Sequence, residues 1–376
     1  MKGLAIVDKG LEEVALEEIT EKIKSKGKKE ETRVIFLISK EEDLCRLAYT
    51  CQSVRRILLL IKEIKVNREL DKTVCLFKKE INKTDLKKYL HKKVSVKCKR
   101  IGEHKFTSVD LASEISKVLK DYEFKISRKN NDLVFYVYIY KNKGYFCLDF
   151  SDRDLSKRNY RIFTKAGSLK GSLGYAVFRF SKYKHGETLL DPACESSIIP
   201  IEAALSIMNK SVNFYKKEFV FQKIDEKYKK IFELEDKKIK KSVKGIYAFD
   251  KLLSNINSSK KNAKIAGVEK NINFSKADIE WLDTKFEKNS VDKIVTKLPS
   301  ESKNISKNLV EKIYQEFFYQ AEFILKKEGV IVICSLKNDL LKESARKKDF
   351  KVVDEKKIFS GQQQYSVTIF KKFYKE

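Results

Sequence analysis

The chain has 376 residues, 42% of them hydrophobic and 36% charged, with only 3 Pro and 13 Gly. This is a globular balance, long enough for two or three domains, and it excludes collagen-like and low-complexity readings. The formal net charge of +28 points to a polyanionic partner, nucleic acid foremost, although Lys enrichment alone also raises the charge of some chains.

The pattern opens with a strand at 4–7 and a helix over 11–23, where Leu11, Val14, Ala15, Ile19 and Ile23 recur at helical spacing. A strand at 34–38 and a long β-rich run at 57–66 complete a small α/β module over residues 1–65. A second module over 66–150 has helical character at 70–77 and 85–90, then an alternating strand at 94–98. It continues with a helix at 108–119 whose N-cap is read as Ser108. A hairpin of 133–140 and 145–150 closes the module. A polar stretch from 151 leads to a helix at 169–180, so 151–184 reads as a junction. Strands at 188–191, 245–249, 272–278, 291–297 and 329–335 then alternate with helices at 197–208, 252–266 and 309–327. Two strands in a row end the chain. This predicts a mostly parallel sheet over 185–376, covered on both faces, with an antiparallel edge. The charged helical segment 210–243 reads as a solvated excursion.

The 7 Cys form no C-x-x-C, and the 3 His stand at no metal-ligand spacing from them. They read as free thiols of a reducing, cytoplasmic compartment, with no metal site. Asp149, Asp152 and Asp154 could hold a divalent ion but read first as a solvated turn. The opening residues lack a signal-peptide core, and the longest apolar run, 57–61, is too short to span a bilayer. Trp281 and most of the other aromatic residues are assigned to the core.

In a parallel sheet of this kind, ligands sit beyond the carboxyl ends of the strands. Those ends carry Asp191, then Asp250, then Asp278, then the run Thr296, Lys297, Leu298, Pro299 and Ser300. An acid after the second strand can accept both ribose hydroxyls, and one after the third can accept an exocyclic amine. Asp250 and Asp278 therefore suit an adenosine-containing cofactor.

The segment DPACESSIIPIEAA at 191–204 resembles D-P-x-C-G-S-G-T-x-x-I-E-A-A, the motif of class I S-adenosylmethionine-dependent RNA methyltransferases that carry a THUMP domain. GLEEVALEEI at 10–19, KRIGEHKFTSVDLA at 99–112, DFSDRDLSKRNYR at 149–161 and TKLPS at 296–300 resemble further family segments in the same order, so the likeness spans the chain. The nearest resemblance is to archaeal tRNA guanine-N2-methyltransferases. It implies an α/β architecture of ferredoxin-like domain (1–65), THUMP RNA-binding domain (66–150), junction (151–184) and Rossmann-type seven-stranded methyltransferase domain (185–376). It also implies S-adenosyl-L-methionine as cofactor, held by Asp191, Ala193, Cys194, Glu195, Ser197, Asp250 and Asp278, with Cys194 a packing residue. Catalysis falls to the 296–300 motif. The partner is tRNA, gripped at its 3′ CCA end by the THUMP module.

The chain departs from this pattern at strand-end chemistry. Glu195 and Ser197 replace glycines that let the backbone approach the cofactor. Glu195 also brings a negative charge toward the cofactor's carboxylate, and two such charges at 4 Å repel by roughly 1 kcal/mol even in water. Lys297 replaces the Asn that accepts from the guanine amine, and an ammonium can only donate. Leu298 replaces the first Pro, and Ser300 the stacking aromatic. The sequence thus implies a tRNA-binding relative with impaired or lost methyl transfer; an active enzyme with a divergent site is the alternative. For RNA contacts the candidates are Lys97, Lys99, Arg100, His104 and Lys105, with Arg158 and Arg161 at the junction.

Overall fold

The computed structural model describes residues 1–127, 129–302 and 305–373. The amino-terminal strands are β1 (Lys2–Val7), β2 (Gly27–Glu30), β3 (Arg33–Leu37), β4 (Val54–Lys65), β5 (Lys93–Ile101), β6 (Lys125–Ile126), β7 (Leu133–Tyr140) and β8 (Lys143–Asp149). They form one eight-stranded sheet in the order β2-β3-β1-β4-β8-β7-β5-β6. The two modules expected from sequence are therefore continuous: β4 pairs antiparallel with β8, Leu58 opposite Asp149 and Lys65 opposite Lys143. Period-two alternation sends Ile57, Leu59, Phe135 and Val137 toward helices α1 (Glu12–Ile23), α2 (Glu41–Thr50), α3 (Leu70–Asn82) and α4 (Ser108–Asp121). Leu58, Leu60, Tyr136, Tyr138 and Tyr145 line the other face.

Helix α4 is capped by Thr107, not Ser108. The Thr107 hydroxyl accepts from the Asp110 amide, and the Asp110 carboxylate accepts from the Thr107 amide, a reciprocal capping box. Helix α2 was not expected, although Leu44, Leu47, Ala48 and Cys51 carry its apolar stripe.

After α5 (Gly171–Phe180), the second sheet contains β9 (Leu189–Asp191), β10 (Ile246–Asp250), β11 (Asn273–Lys276), β12 (Val291–Thr296), β13 (Leu325–Ser335), β14 (Phe350–Ser360) and β15 (Gln363–Lys372). Its order is β11-β10-β9-β12-β13-β15-β14, parallel from β11 through β13 and antiparallel in the last two strands. This is the Rossmann-type arrangement expected, with the switch of direction at β9 and β12. Neighbouring residues of β9 feed opposite cores: Leu189 packs with α6 (Ile198–Ile207) and α9 (Leu253–Ala266), Leu190 with α10 (Lys307–Ile324) and α11 (Asp339–Arg346).

Residues 210–243 are not a solvated excursion. They contain α7 (Phe221–Ile224) and α8 (Lys230–Asp236) and bury Phe221, Tyr228 and Phe232. Phe232 packs edge-on to Tyr49 of α2 at 4.9 Å, and the Tyr49 hydroxyl donates to Asp236 at 2.7 Å. Most lysines of this stretch face outward while Phe219, Phe221, Tyr228 and Phe232 dock it; Lys210 is buried and donates to the Gly267 carbonyl at 3.0 Å. Among the described residues no helix is long and apolar enough to cross a membrane.

The two halves are joined by a buried ion pair. Arg158 Nε lies 2.7 Å from Glu202 Oε1, with side-chain exposures of 1% and 0%. The same carboxylate accepts from the Tyr160 hydroxyl and the Gln52 amide, each at 2.7 Å. Arg158 also donates to the Gln52 carbonyl at 2.6 Å and to the Leu155 carbonyl. Gly171 permits this packing, since a Cβ there would stand 2.4 Å from Arg158 Cγ and 2.7 Å from Glu202 Oε1. Glu202→Ala strands a buried guanidinium and is expected to cost about 3–5 kcal/mol in urea unfolding; a loss under about 1 kcal/mol contradicts this account.

Candidate functional site

The carboxyl ends of β9, β10 and β12 bring Asp191, Asp250 and Thr296 together, as the strand-end argument requires. The Thr296 hydroxyl donates to Asp191 Oδ1 at 2.7 Å, and the Ala193 amide approaches the same oxygen at 3.3 Å. Burial pushes the Asp191 carboxyl up to about 7; the Thr296 hydroxyl and Ala193 amide oppose that shift, and the charges of Asp250 and Glu195 add to it.

The loop from β9 to α6 keeps a glycine-like backbone without glycines. Glu195 and Ser197 both lie in the left-handed region, at φ 52° and 57°. That costs a side-chain-bearing residue about 1–2 kcal/mol each. The surroundings hold the strained loop in place. The Cys194 amide donates to the Phe249 carbonyl at 2.9 Å, the Ser259 hydroxyl to the Glu195 carbonyl at 3.2 Å, and Asn262 to the Ser196 carbonyl at 3.3 Å. Cys194 is buried, in keeping with a packing role.

Asp250 is largely committed to the protein. Its Oδ1 accepts from the Leu252 amide and the Asn255 side chain at 2.9 Å each, and its Oδ2 from the Glu195 amide at 3.0 Å. Asp278 follows β11, half-buried, and uses one oxygen to accept from the Ile279 amide at 2.7 Å.

Between these groups and the fourth-strand motif lies a turn at 165–168 that sequence reasoning missed. The Ser168 hydroxyl donates to the Glu195 carboxylate, and the Lys297 ammonium donates to the Gly167 carbonyl at 2.6 Å. The two substituted residues thus tether one strap from opposite sides. Arg161 fixes its far end by donating to the Ser168 and Leu169 carbonyls at 2.9 Å each. Beside Leu169, the residue after the strap, the space lined by Asp191, Cys194, Glu195, Ile198 and Lys297 is about 20 Å³, room for about one water. Leu298 is buried, and the Pro299 carbonyl accepts from Tyr314 at 2.8 Å. The Leu336 amide approaches the Ser300 hydroxyl at 3.5 Å. At the nucleoside end Asp278 keeps one oxygen for an exocyclic amine, whereas Asp250, already accepting three hydrogen bonds, has room for about one further donor. The amino-acid end, with only about 20 Å³ between the β9–α6 loop, Glu195 and Lys297, does not fit a methionine group.

The predicted RNA-contact residues divide. Lys97 and Lys99 share one face of β5; Lys97 pairs with Asp152 at 3.3 Å, whereas Lys99 has no acidic partner among the described residues. Burial and the neighbouring Arg55 lower the Lys99 pKa. Arg100 points to the helix-covered face, over Phe106, and donates to the Gly102 carbonyl at 2.9 Å and to His104 Nδ1 at 3.2 Å. His104 Nε2 in turn donates to the Lys141 carbonyl at 2.8 Å. Lys105 pairs with Glu69 at 2.7 Å on the surface. Arg158 offers nothing to phosphate, because it is the buried partner of Glu202, and Arg161 is spent on the strap. The expected solvated acidic turn is also different: Asp149 is fully buried against Arg56 at 2.5 Å, and Asp154 pairs with Arg55. Among the described residues no His, Cys, Asp and Glu group could hold a metal, and all seven cysteines are free. Trp281, assigned to the core from sequence, is 61% exposed.

A family model described as RMKL-like, methyltransferase domain, matches residues 158–366. The tRNA (guanine(6)-N2)-methyltransferase of Methanocaldococcus jannaschii is 31% identical over 281 residues, 70% of this chain and 71% of that one. Among solved structures, SMU.472, crystallised with SAH, superposes with a TM-score of 0.82 at 18% identity, covering 100% of this chain and 99% of that one. TrmN from Thermus thermophilus superposes with a TM-score of 0.75 at 20% identity, covering 99% of each. These two likenesses concern the fold.

A raised carboxyl pKa makes stability pH-dependent. Between the ordinary Asp value of 3.8 and about 7, the folded chain holds more protons at Asp191 than the unfolded chain. For this group stability is greatest below about pH 4 and is lost progressively as pH rises to about 7. Asp191→Asn is expected to flatten the fall in urea midpoint between pH 5 and pH 8; an unchanged pH profile contradicts this.

Proposed function

Because this chain belongs to the RMKL-like methyltransferase family, whose methyl donor is S-adenosylmethionine, we propose that it is a tRNA-binding member in which methyl transfer is lost. The observation that carries this reading is the strap, tied to Glu195 and Lys297 across the amino-acid end of the cofactor loop. Each tether uses a residue that also opposes the chemistry. Glu195 meets the donor's carboxylate with like charge, and Lys297 cannot accept from a guanine amine. Residues 1–65, 66–150, 151–184 and 185–376 are proposed as ferredoxin-like domain, THUMP RNA-binding domain, junction and methyltransferase domain. The tRNA grip is proposed for Lys97 and Lys105, which are exposed, with Lys99 half-buried on the same face of β5 as Lys97.

The alternative, an active enzyme with a movable strap, draws on the preserved left-handed loop and on Asp250 and Asp278 at their strand ends. Calorimetric titration separates the two. The native chain is expected to show no micromolar binding of S-adenosylmethionine, and Ser168→Ala/Glu195→Gly/Lys297→Asn to gain at least tenfold. Micromolar binding with methyl incorporation into unmodified tRNA, abolished by Lys297→Ala, overturns the proposal.

The tRNA grip has its own readout. Lys97→Glu/Lys99→Glu is expected to weaken tRNA binding and lower the salt slope by about one for each phosphate no longer neutralised. Unchanged binding and slope place the RNA elsewhere.

A further inference from the structure

While the amino-acid end of the cleft is closed, its outer end is open. Past the carboxyl ends of β10 and β11 lies a recess of about 480 Å³, lined by Lys251, Lys276, Asp278, Trp281, Thr284 and Lys285. Trp281 is the chain's single tryptophan and is 61% exposed there. An indole exposed beside a cavity offers a face on which a base can stack. Asp278 spends one carboxylate oxygen on the Ile279 amide, and the other has no protein donor among the described residues. A carboxylate so placed accepts from an exocyclic amine. Lys251, Lys276 and Lys285 are exposed, and none has an acidic partner among the described residues. Three unpaired ammonium groups around one recess attract phosphate, which the adenosyl end of S-adenosylmethionine lacks. That donor carries its charged groups at the opposite end, where only about 20 Å³ remains.

We propose that this recess binds a phosphorylated purine nucleoside bearing an exocyclic amine, as a free nucleotide or as one residue of single-stranded RNA. The base stacks on Trp281, the amine donates to Asp278, and the phosphate meets the lysines. The inference rests on the placement of Asp250 and Asp278 at the cofactor edge, as the functional reading does, but not on the loss of methyl transfer.

The lone tryptophan makes the site its own reporter. The full chain is titrated with adenosine monophosphate, adenosine, inosine monophosphate, S-adenosylmethionine and a single-stranded hexa-adenylate while Trp281 fluorescence is followed. Adenosine monophosphate is expected to quench it and to bind at least tenfold tighter than adenosine, which lacks the phosphate, and inosine monophosphate, which lacks the amine. Lys276→Glu/Lys285→Glu is expected to weaken it tenfold. Asp278→Asn, which keeps an oxygen for the Ile279 amide, is expected to erase the preference over inosine monophosphate. Hexa-adenylate binding tenfold tighter than the mononucleotide assigns the site to RNA; equal or weaker binding assigns it to a free nucleotide. Adenosine monophosphate binding no tighter than adenosine, or unchanged in the double Lys variant, overturns the proposal. Tight S-adenosylmethionine binding overturns the functional reading alone when adenosine monophosphate keeps its advantage over adenosine.

Discussion

A single carboxylate at the end of a helical turn governs how this molecule is assembled. Glu202 sits in α6, beside the cofactor loop, yet all its hydrogen-bond donors come from elsewhere: Arg158 and Tyr160 from the junction, Gln52 from the amino-terminal half. Desolvating a carboxylate and a guanidinium is expensive, and it is offset only when geometry and hydrogen bonds are complete. Completion here needs three segments at once. The position of the cofactor loop is therefore coupled to the amino-terminal sheet through charge, not only through apolar packing.

The strap is a second consequence of that junction. It follows directly from the Arg158 segment, and Arg161 pins its far end at Ser168 and Leu169. Glu195 and Ser197, where the family's motif has glycines, both hold a left-handed backbone. What differs is what projects from it. A carboxylate reaches the strap at Ser168 and an ammonium at Gly167, so the two residues that depart from the family's motif also furnish the strap's contacts. The outer recess is built from strand ends and not from this loop.

Much of this was legible from residue order. The alternation of strands and helices gave the second sheet, and acids at successive strand ends located Asp191, Asp250 and Asp278, because a parallel sheet leaves its chemistry only there. The substitutions at Glu195 and Lys297 were visible too. Their partners were not, since Ser168 and Gly167 lie in a turn with no periodic signal. Arg158 looked like a phosphate contact because a sequence shows charge but not burial. Residues 210–243 misled for the converse reason: their lysines dominate the composition, whereas Phe221, Tyr228 and Phe232 decide the packing. Trp281 was assigned to the core on the general habit of tryptophan. Its position three residues after a strand-end acid was the available sign that it borders a cleft.

The pairing of β4 with β8 has a consequence for how the amino-terminal half came together and how it comes apart. Two units that read as separate in order of residues share one hydrogen-bonded ladder from Leu58–Asp149 to Lys65–Lys143. Neither can leave without baring an unpaired strand edge, which is an invitation to aggregation. The first 150 residues should consequently open as a single cooperative foldon, and neither half is a portable cassette that recombination could graft onto another enzyme without supplying a new edge partner.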